Sequence, residues 1–243
     1  MKYPLRSLLF ALLACAPWLP VAATEFSVSP IRVELKPGTM SETIAVTNHS
    51  DKKLRVSLKL TEWTQDAAGK DVYQDSSDLI YFPRQMELEP NGKRLVRLGA
   101  RRPAGVVERT YRLWVEEEPA AAAAGSQAQV AFYFRFGVPV FLVPAVGKPQ
   151  PEFAEPQLDK GRLSLHVKNA GSQSFRLQKI TVSDGAGFTR EIAGWYSLAG
   201  TERTYATDIP RDVCVRAKSL AIAIEGEGIR SDRKLDVVPA SCS

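Results

Sequence analysis

Leu54-Arg55-Val56-Ser57-Leu58-Lys59-Leu60-Thr61 decides how this chain folds. Four leucines and valines on one parity alternate with Arg, Ser, Lys and Thr on the other. That period of two suits a strand with one greasy face and does not suit a helix. Working outward, Ile44-Ala45-Val46, Leu95-Val96-Arg97-Leu98, Tyr111-Arg112-Leu113-Trp114-Val115 and Val130 to Val143 continue the series. Turn chemistry falls between them: Lys36-Pro37-Gly38, Asn48-His49-Ser50-Asp51, Asp66 to Gly69 and Pro90-Asn91-Gly92. Short strands at regular spacing predict an antiparallel sandwich, and about seven of them make one immunoglobulin-like domain. Pro144 to Pro151 interrupts the pattern, because its three prolines lack a ladder donor. Leu163 to Val167, Phe175 to Val182, Ala221 to Ile224 and Leu235 to Val238 then form a second set. The fold class is therefore all-β, with two immunoglobulin-like β-sandwich domains in tandem over 24–146 and 147–243. Five alanines at 120–124, between Pro119 and Gly125, read as a flexible loop, with a helical turn as the alternative.

Residues 1–23 read as an address. Lys2 and Arg6 precede an apolar run from Leu8 to Ala16, and Val21-Ala22-Ala23 offers small residues to a signal peptidase. The run is too short to cross ~30 Å of hydrocarbon at 1.5 Å per residue, so stable membrane insertion is not expected. A buried helix would be broken at Pro17 and Pro20. A cleaved signal peptide predicts export. It also removes two of the five net positive charges in the 243-residue chain, leaving +3. The basic residues are scattered among acids, which argues against nucleic acid as a partner. Of three cysteines, Cys15 leaves with the signal, and Cys214 and Cys242 remain as an even pair in an oxidising compartment. They are expected to form a disulfide tying the last strand back to an earlier part of the C-terminal half. Two histidines supply little for a metal site, and none is expected, nor any cofactor. Ser50-x-x-Lys53 and Ser231-x-x-Lys234 sit in charged turns without supporting motifs, and no catalytic residue is assigned.

The run from Val130 to Val143 is about twice the length a sandwich core requires. Val130, Phe132, Phe134, Phe136, Val138 and Val140 share one parity. One reading is a central strand covered on both sides. The other is an edge whose large apolar side chains await a partner, since an uncovered edge of that kind aggregates unless something pairs with it.

These residues resemble the PapD-like periplasmic chaperones of the chaperone–usher pilus pathway, over essentially the whole mature chain. Ser29 to Gly38 looks like that family's first strand with its arginine. Leu88 to Gly92 with Leu95 to Leu98, Tyr111-Arg112-Leu113 with Pro119, and Phe141-Leu142-Val143-Pro144 follow in order. Asn169, Tyr196 to Gly200 and the terminal cysteines are similar in the second half. The resemblance implies a boomerang-like pair of domains. It implies a chaperone that lends its seventh strand to a pilus subunit lacking one, with Val130, Phe132, Phe134 and Phe136 filling the subunit's groove. Three such side chains would contribute about 5–9 kcal/mol before ordering costs, at ~1.5–3 kcal/mol each. Arg32 would meet the subunit's C-terminal carboxylate through its planar fork.

The family's usual lysine on the seventh strand is replaced here by Pro139. A second basic anchor must come from elsewhere, and Arg84, after Phe82-Pro83, is the candidate, with Arg135 behind it. Loss of the lysine and the Phe-rich strand make the chain similar to the archaic branch of the family. The expectation is thus a periplasmic, non-enzymatic chaperone with two partners, pilus or fimbrial subunits and an outer-membrane usher. A secreted two-domain structural or adhesive pilus component is the alternative, and a carbohydrate-binding module a third.

Overall fold

Two prolines reshape the first half. Pro30 and Pro83 have no N–H to donate, and at each the chain leaves one sheet and enters the facing one. The computed structural model describes residues 26–118 and 133–242. The signal segment 1–23, the alanine run 120–124, Val130 and Phe132 lie outside the described residues. The strands of the first half are β1 Phe26–Ser29, β2 Val33–Leu35, β3 Ser41–Asn48, β4 Leu54–Gln65 and β5 Asp71–Asp75. They continue as β6 Leu79–Phe82, β7 Gln85–Leu88, β8 Lys93–Ala100, β9 Arg109–Glu117 and β10 Arg135–Leu142. Ten strands stand where about seven were expected, because the prolines split two of them and β5 adds a hairpin arm to β4.

One sheet runs β1-β3-β8-β6; the other runs β2-β10-β9-β4-β5, with β7 also against β4. Leu54, Val56, Leu58 and Leu60 point between the sheets as their alternation predicts, joined by Ile44, Val46, Leu98, Leu113 and Val140. The second half holds β11 Pro151–Phe153, β12 Gln157–Asp159, β13 Arg162–Asn169, β14 Phe175–Ser183 and β15 Thr189–Ala193. It ends with β16 Tyr196–Ser197, β17 Glu202–Asp208, β18 Ser219–Gly226 and β19 Ile229–Asp236. Here β13 pairs with β11, β12 and β17, facing a sheet ordered β15-β14-β18-β19 with β16 against β14. Leu165, Val167, Leu177, Ile180, Ile222 and Ile224 fill this second core.

One buried asparagine repeats in each half. The Asn48 amide donates to the carbonyls of Lys52 and Glu89, and that of Asn169 to Gln173, Ser197 and Leu198. Each side-chain oxygen takes a loop N–H in return, from Ser50 or Gly171, so neither buried amide goes unpaired. Ser50 also donates its hydroxyl to Asn48. Cys214 and Cys242 are bonded. They link α1 (Arg211–Arg216), a short helix that strand periodicity did not reveal, to a terminal 3-10 turn at Pro239–Cys242, so neither cysteine lies on a strand. Among the described residues no group of His, Cys, Asp and Glu could hold a metal ion, and no helix is long and apolar enough to cross a membrane.

Candidate functional site

The register of the β2-β10-β9-β4 sheet sorts its side chains. Phe134, Phe136, Val138, Val140 and Leu142 share the parity that packs on the first core. Arg135, Gly137, Pro139 and Phe141 take the other parity and face outward. Phe141 pairs with Thr110 and Glu34, so Trp63 on β4 lies on the same outer face. That face is apolar at one end because the second half sits on it. Trp63, Phe141, Tyr196 and Leu198 form a buried cluster of their own, with Trp195 and Val143 packed against it. The Trp63 ring meets Tyr196 edge-on at 5.3 Å and Phe141 at 6.1 Å.

Polar contacts hold the two halves in register around the cluster. Gln65 donates to the Tyr196 carbonyl and accepts from the Leu198 N–H and the Thr201 hydroxyl, at 2.9, 3.1 and 2.8 Å. Trp195 donates its indole N–H to Asp71, and Arg203 donates to the Gly69 carbonyl. Gly69 has φ +74°, and a Cβ there would lie 2.6 Å from the Glu202 carbonyl oxygen, so only glycine allows this approach. Glu108 accepts the Ser174 N–H at 2.8 Å, while its own N–H reaches the Ser172 carbonyl.

Two arginines flank this cluster. Val33 pairs with Val140, so Arg32, one step earlier, falls beside Pro139; Pro139 in turn pairs with Arg112, and Arg112 with Thr61. Arg32 and Arg112 therefore bracket Pro139 from two adjacent strands, their backbones about 10 Å apart at ~4.8 Å per strand. The Arg32 guanidinium lies 4.4 Å from the Phe141 ring centre, and that of Arg112 lies 4.1 Å from that of Trp63. Such stacking fixes a guanidinium plane while leaving its edge free to bond. Arg112 is 7% exposed and donates to the Gly137 carbonyl at 2.9 Å, but its Nε has no partner; neither has the Nε of Arg32. Arg32 also holds Glu34 at 2.8 Å and Glu227, from the second half, at 3.2 Å. Burial opposes ionisation of Glu34, but Lys36 and Arg32 outweigh it and hold its carboxyl below the usual range.

The other expected residues fall differently. Arg84 is exposed, stacked 5.4 Å from the Tyr81 ring. It adjoins β7, which pairs with β4 on the side away from β9, four strand spacings or about 19 Å across from Arg32. The structure does not bring Arg84 and Arg32 together; the arginine that shares the sheet row with Arg32 is Arg112. The sequence carried one signal for it, an arginine set between two outward positions on a strand whose other parity is apolar. Arg135 lies at the far end of β10, 3.8 Å over the Trp114 ring and ion-paired to Glu116 at 2.6 Å. Phe136 packs edge-on against Phe26 at 5.0 Å, and Phe134 is half-buried on the same core. The strand parity that carries Val138 and Val140 inward carries these two rings inward as well, so neither ring stands free as expected. What β10 does leave open is part of its backbone, although Pro139 has no N–H and Arg112 takes the Gly137 carbonyl. It pairs with β9 along its whole length, but β2 covers only Val140 to Leu142 on its other side. Among the described residues, Arg135 to Pro139 have no ladder partner on that edge.

Residues 25–148 match the family described as pili and flagellar-assembly chaperone, PapD N-terminal domain. No curated protein matches the chain. Among solved structures, the chain is similar to the CsuC–CsuE chaperone–tip adhesion subunit pre-assembly complex from archaic chaperone-usher Csu pili of Acinetobacter baumannii. That likeness has 21% identity and a TM-score of 0.62, over 87% of this chain and 98% of the other. The CupB2 chaperone of Pseudomonas aeruginosa aligns at 16% identity and TM-score 0.56, over 87% and 100%. The Salmonella enterica SafA pilin–SafB chaperone complex aligns at 14% identity and TM-score 0.56, over 87% and 96%. At these identities the likeness shows the two-sandwich fold.

Proposed function

Since this chain belongs to the family of pili and flagellar-assembly chaperones, we propose that it is a periplasmic, non-enzymatic chaperone for pilus or fimbrial subunits. In this reading it lends β10 and the segment before it to a subunit that lacks a strand, and delivers the subunit to an outer-membrane usher. The observation that carries the reading is one sheet row, Arg32–Pro139–Arg112, set at the inner end of the uncovered β10 edge. A subunit strand added along Arg135 to Pro139 would end there, with its α-carboxylate between two stacked guanidiniums. In this reading Arg112 supplies the charge that Pro139 cannot. Val130 and Phe132 remain the proposed groove-filling side chains, Phe134 and Phe136 being packed on this chain's own core, and the boundaries 24–146 and 147–243 remain the proposed domains.

Co-expression with candidate subunits, followed by purification of periplasmic complexes, tests this reading. Subunit recovery is expected to rise with the chaperone, and equal recovery with and without it would overturn the proposal. Arg32→Ala and Arg112→Gln are each expected to weaken capture about ten- to hundredfold. A lost hydrogen bond to a charged group costs ~1.5–3 kcal/mol. Phe132→Asp should reduce capture at an unchanged thermal melt. Normal capture by all three variants would sink the site.

A further inference from the structure

Arg32, read above as the site for a partner's α-carboxylate, already holds a side-chain carboxylate that reaches it from the second half. Glu227 belongs to the turn between β18 and β19, in the second half, yet its Oε2 accepts from Arg32 Nη1 at 3.2 Å. Its backbone N–H is tied to the Arg176 carbonyl at 3.1 Å, which fixes the turn facing β2. Glu34 differs from it in kind. It sits on the same strand as Arg32, takes the other nitrogen, Nη2, and is itself held by Lys36 at 2.7 Å. Glu34 therefore orients the guanidinium and stays. Glu227 has a half-exposed side chain and a second cation waiting, since Arg176 Nη1 stands 3.9 Å from its other oxygen.

From this geometry we propose that Glu227 is a place-holder. In the free protein it occupies the face of Arg32 that a partner's α-carboxylate needs, and on binding it yields that face and closes on Arg176. Two effects follow from elementary electrostatics. With Glu227 in place both terminal nitrogens of Arg32 are engaged, which weakens capture of stray carboxylates. Conversely, a bound carboxylate has a competitor tethered beside it, which speeds release by lowering the cost of emptying the site. The inference rests on the carboxylate reading of Arg32, so its test separates the two.

The probe is a fluorescein-labelled octapeptide of alternating threonine and valine, made with a free C-terminal carboxylate and as its C-terminal amide. Binding is followed by fluorescence anisotropy with the full chain, Glu227→Gln, Glu227→Asp and Arg32→Ala, each checked for an unchanged thermal melt. The acid is expected to bind the full chain more tightly than the amide. Glu227→Gln should bind the acid about two- to fivefold more tightly still, the range of an exposed ion pair, and the amide no differently. Glu227→Asp, which keeps the charge but shortens the reach, should resemble Glu227→Gln. Arg32→Ala should erase the difference between acid and amide. If Glu227→Gln leaves acid binding unchanged, or shifts acid and amide alike, the place-holder falls while the carboxylate site stands. If acid and amide behave alike on the full chain, bound or unbound, the carboxylate site falls and takes the place-holder with it.

Discussion

Glu108 carries a carboxylate into the seam between the halves, where burial pushes its pKa above the ordinary 4.5 despite the Ser174 N–H it accepts. A raised carboxyl means that the folded chain binds its proton more readily than the unfolded chain does. Folding then gains from acidity: the Glu108 contribution is most favourable below about 4.5 and is lost as pH rises through the raised value. Glu108→Gln keeps an acceptor for Ser174 and removes the charge. It should raise Tm at pH 7 by about 1–3 °C, on a scale of ~2–4 °C per kcal/mol. That gain should fade when the melt is repeated near pH 4, and a gain equal at both pH values would refute the assignment. Residue-scale features of this kind escaped the sequence. Nothing in the neighbours of Glu108 or Arg112 along the chain shows that a second domain will cover them.

At the scale of single elements, β10 is shaped by what its neighbour lays over it. Trp114 on β9 spreads across Gly137, whose missing Cβ would fall 2.5 Å from the ring, and the same ring supports Arg135 and meets Tyr73 at 5.2 Å. Gly137→Ala should cost about 1–3 kcal/mol by overpacking. In a Trp114→Ala background the same change should cost almost nothing. Melts of the four proteins give that cycle directly, and an undiminished cost without the ring would exclude the packing account. The alternation from Leu54 to Thr61 was legible because a two-residue period has one structural meaning. The breaks at Pro30 and Pro83 were not, since proline equally marks a loop, an edge or a change of sheet. For the same reason Phe134 and Phe136 looked available to a partner. Parity tells which side chains share a face, but not which face the protein keeps for itself.

For the molecule as a whole, the halves meet through a small aromatic cluster framed by Gln65, Asp71 and Gly69. Gln65→Ala removes three hydrogen bonds across the seam and should cost about 1–3 kcal/mol, at ~1 kcal/mol each less any water that enters. In calorimetry the native chain is expected to melt in one transition and the variant in two, and a sharp single transition of the variant at the native temperature would contradict a coupling role. Two sandwiches in tandem were readable from strand spacing and the proline break. The seam was not, because Trp63, Phe141 and Tyr196 are the kinds of residue that also fill a domain's own core. The site beside it has a metrical consequence. Because the Arg32–Pro139–Arg112 row is fixed at one end of an uncovered edge, it acts as the zero mark of a ruler graduated every ~3.3 Å along β10. A strand gripped there by its last residue would be read off by parity, and one added residue at its end would turn every apolar side chain to the opposite face. Such a chaperone would measure the length of its cargo's tail as well as bind it.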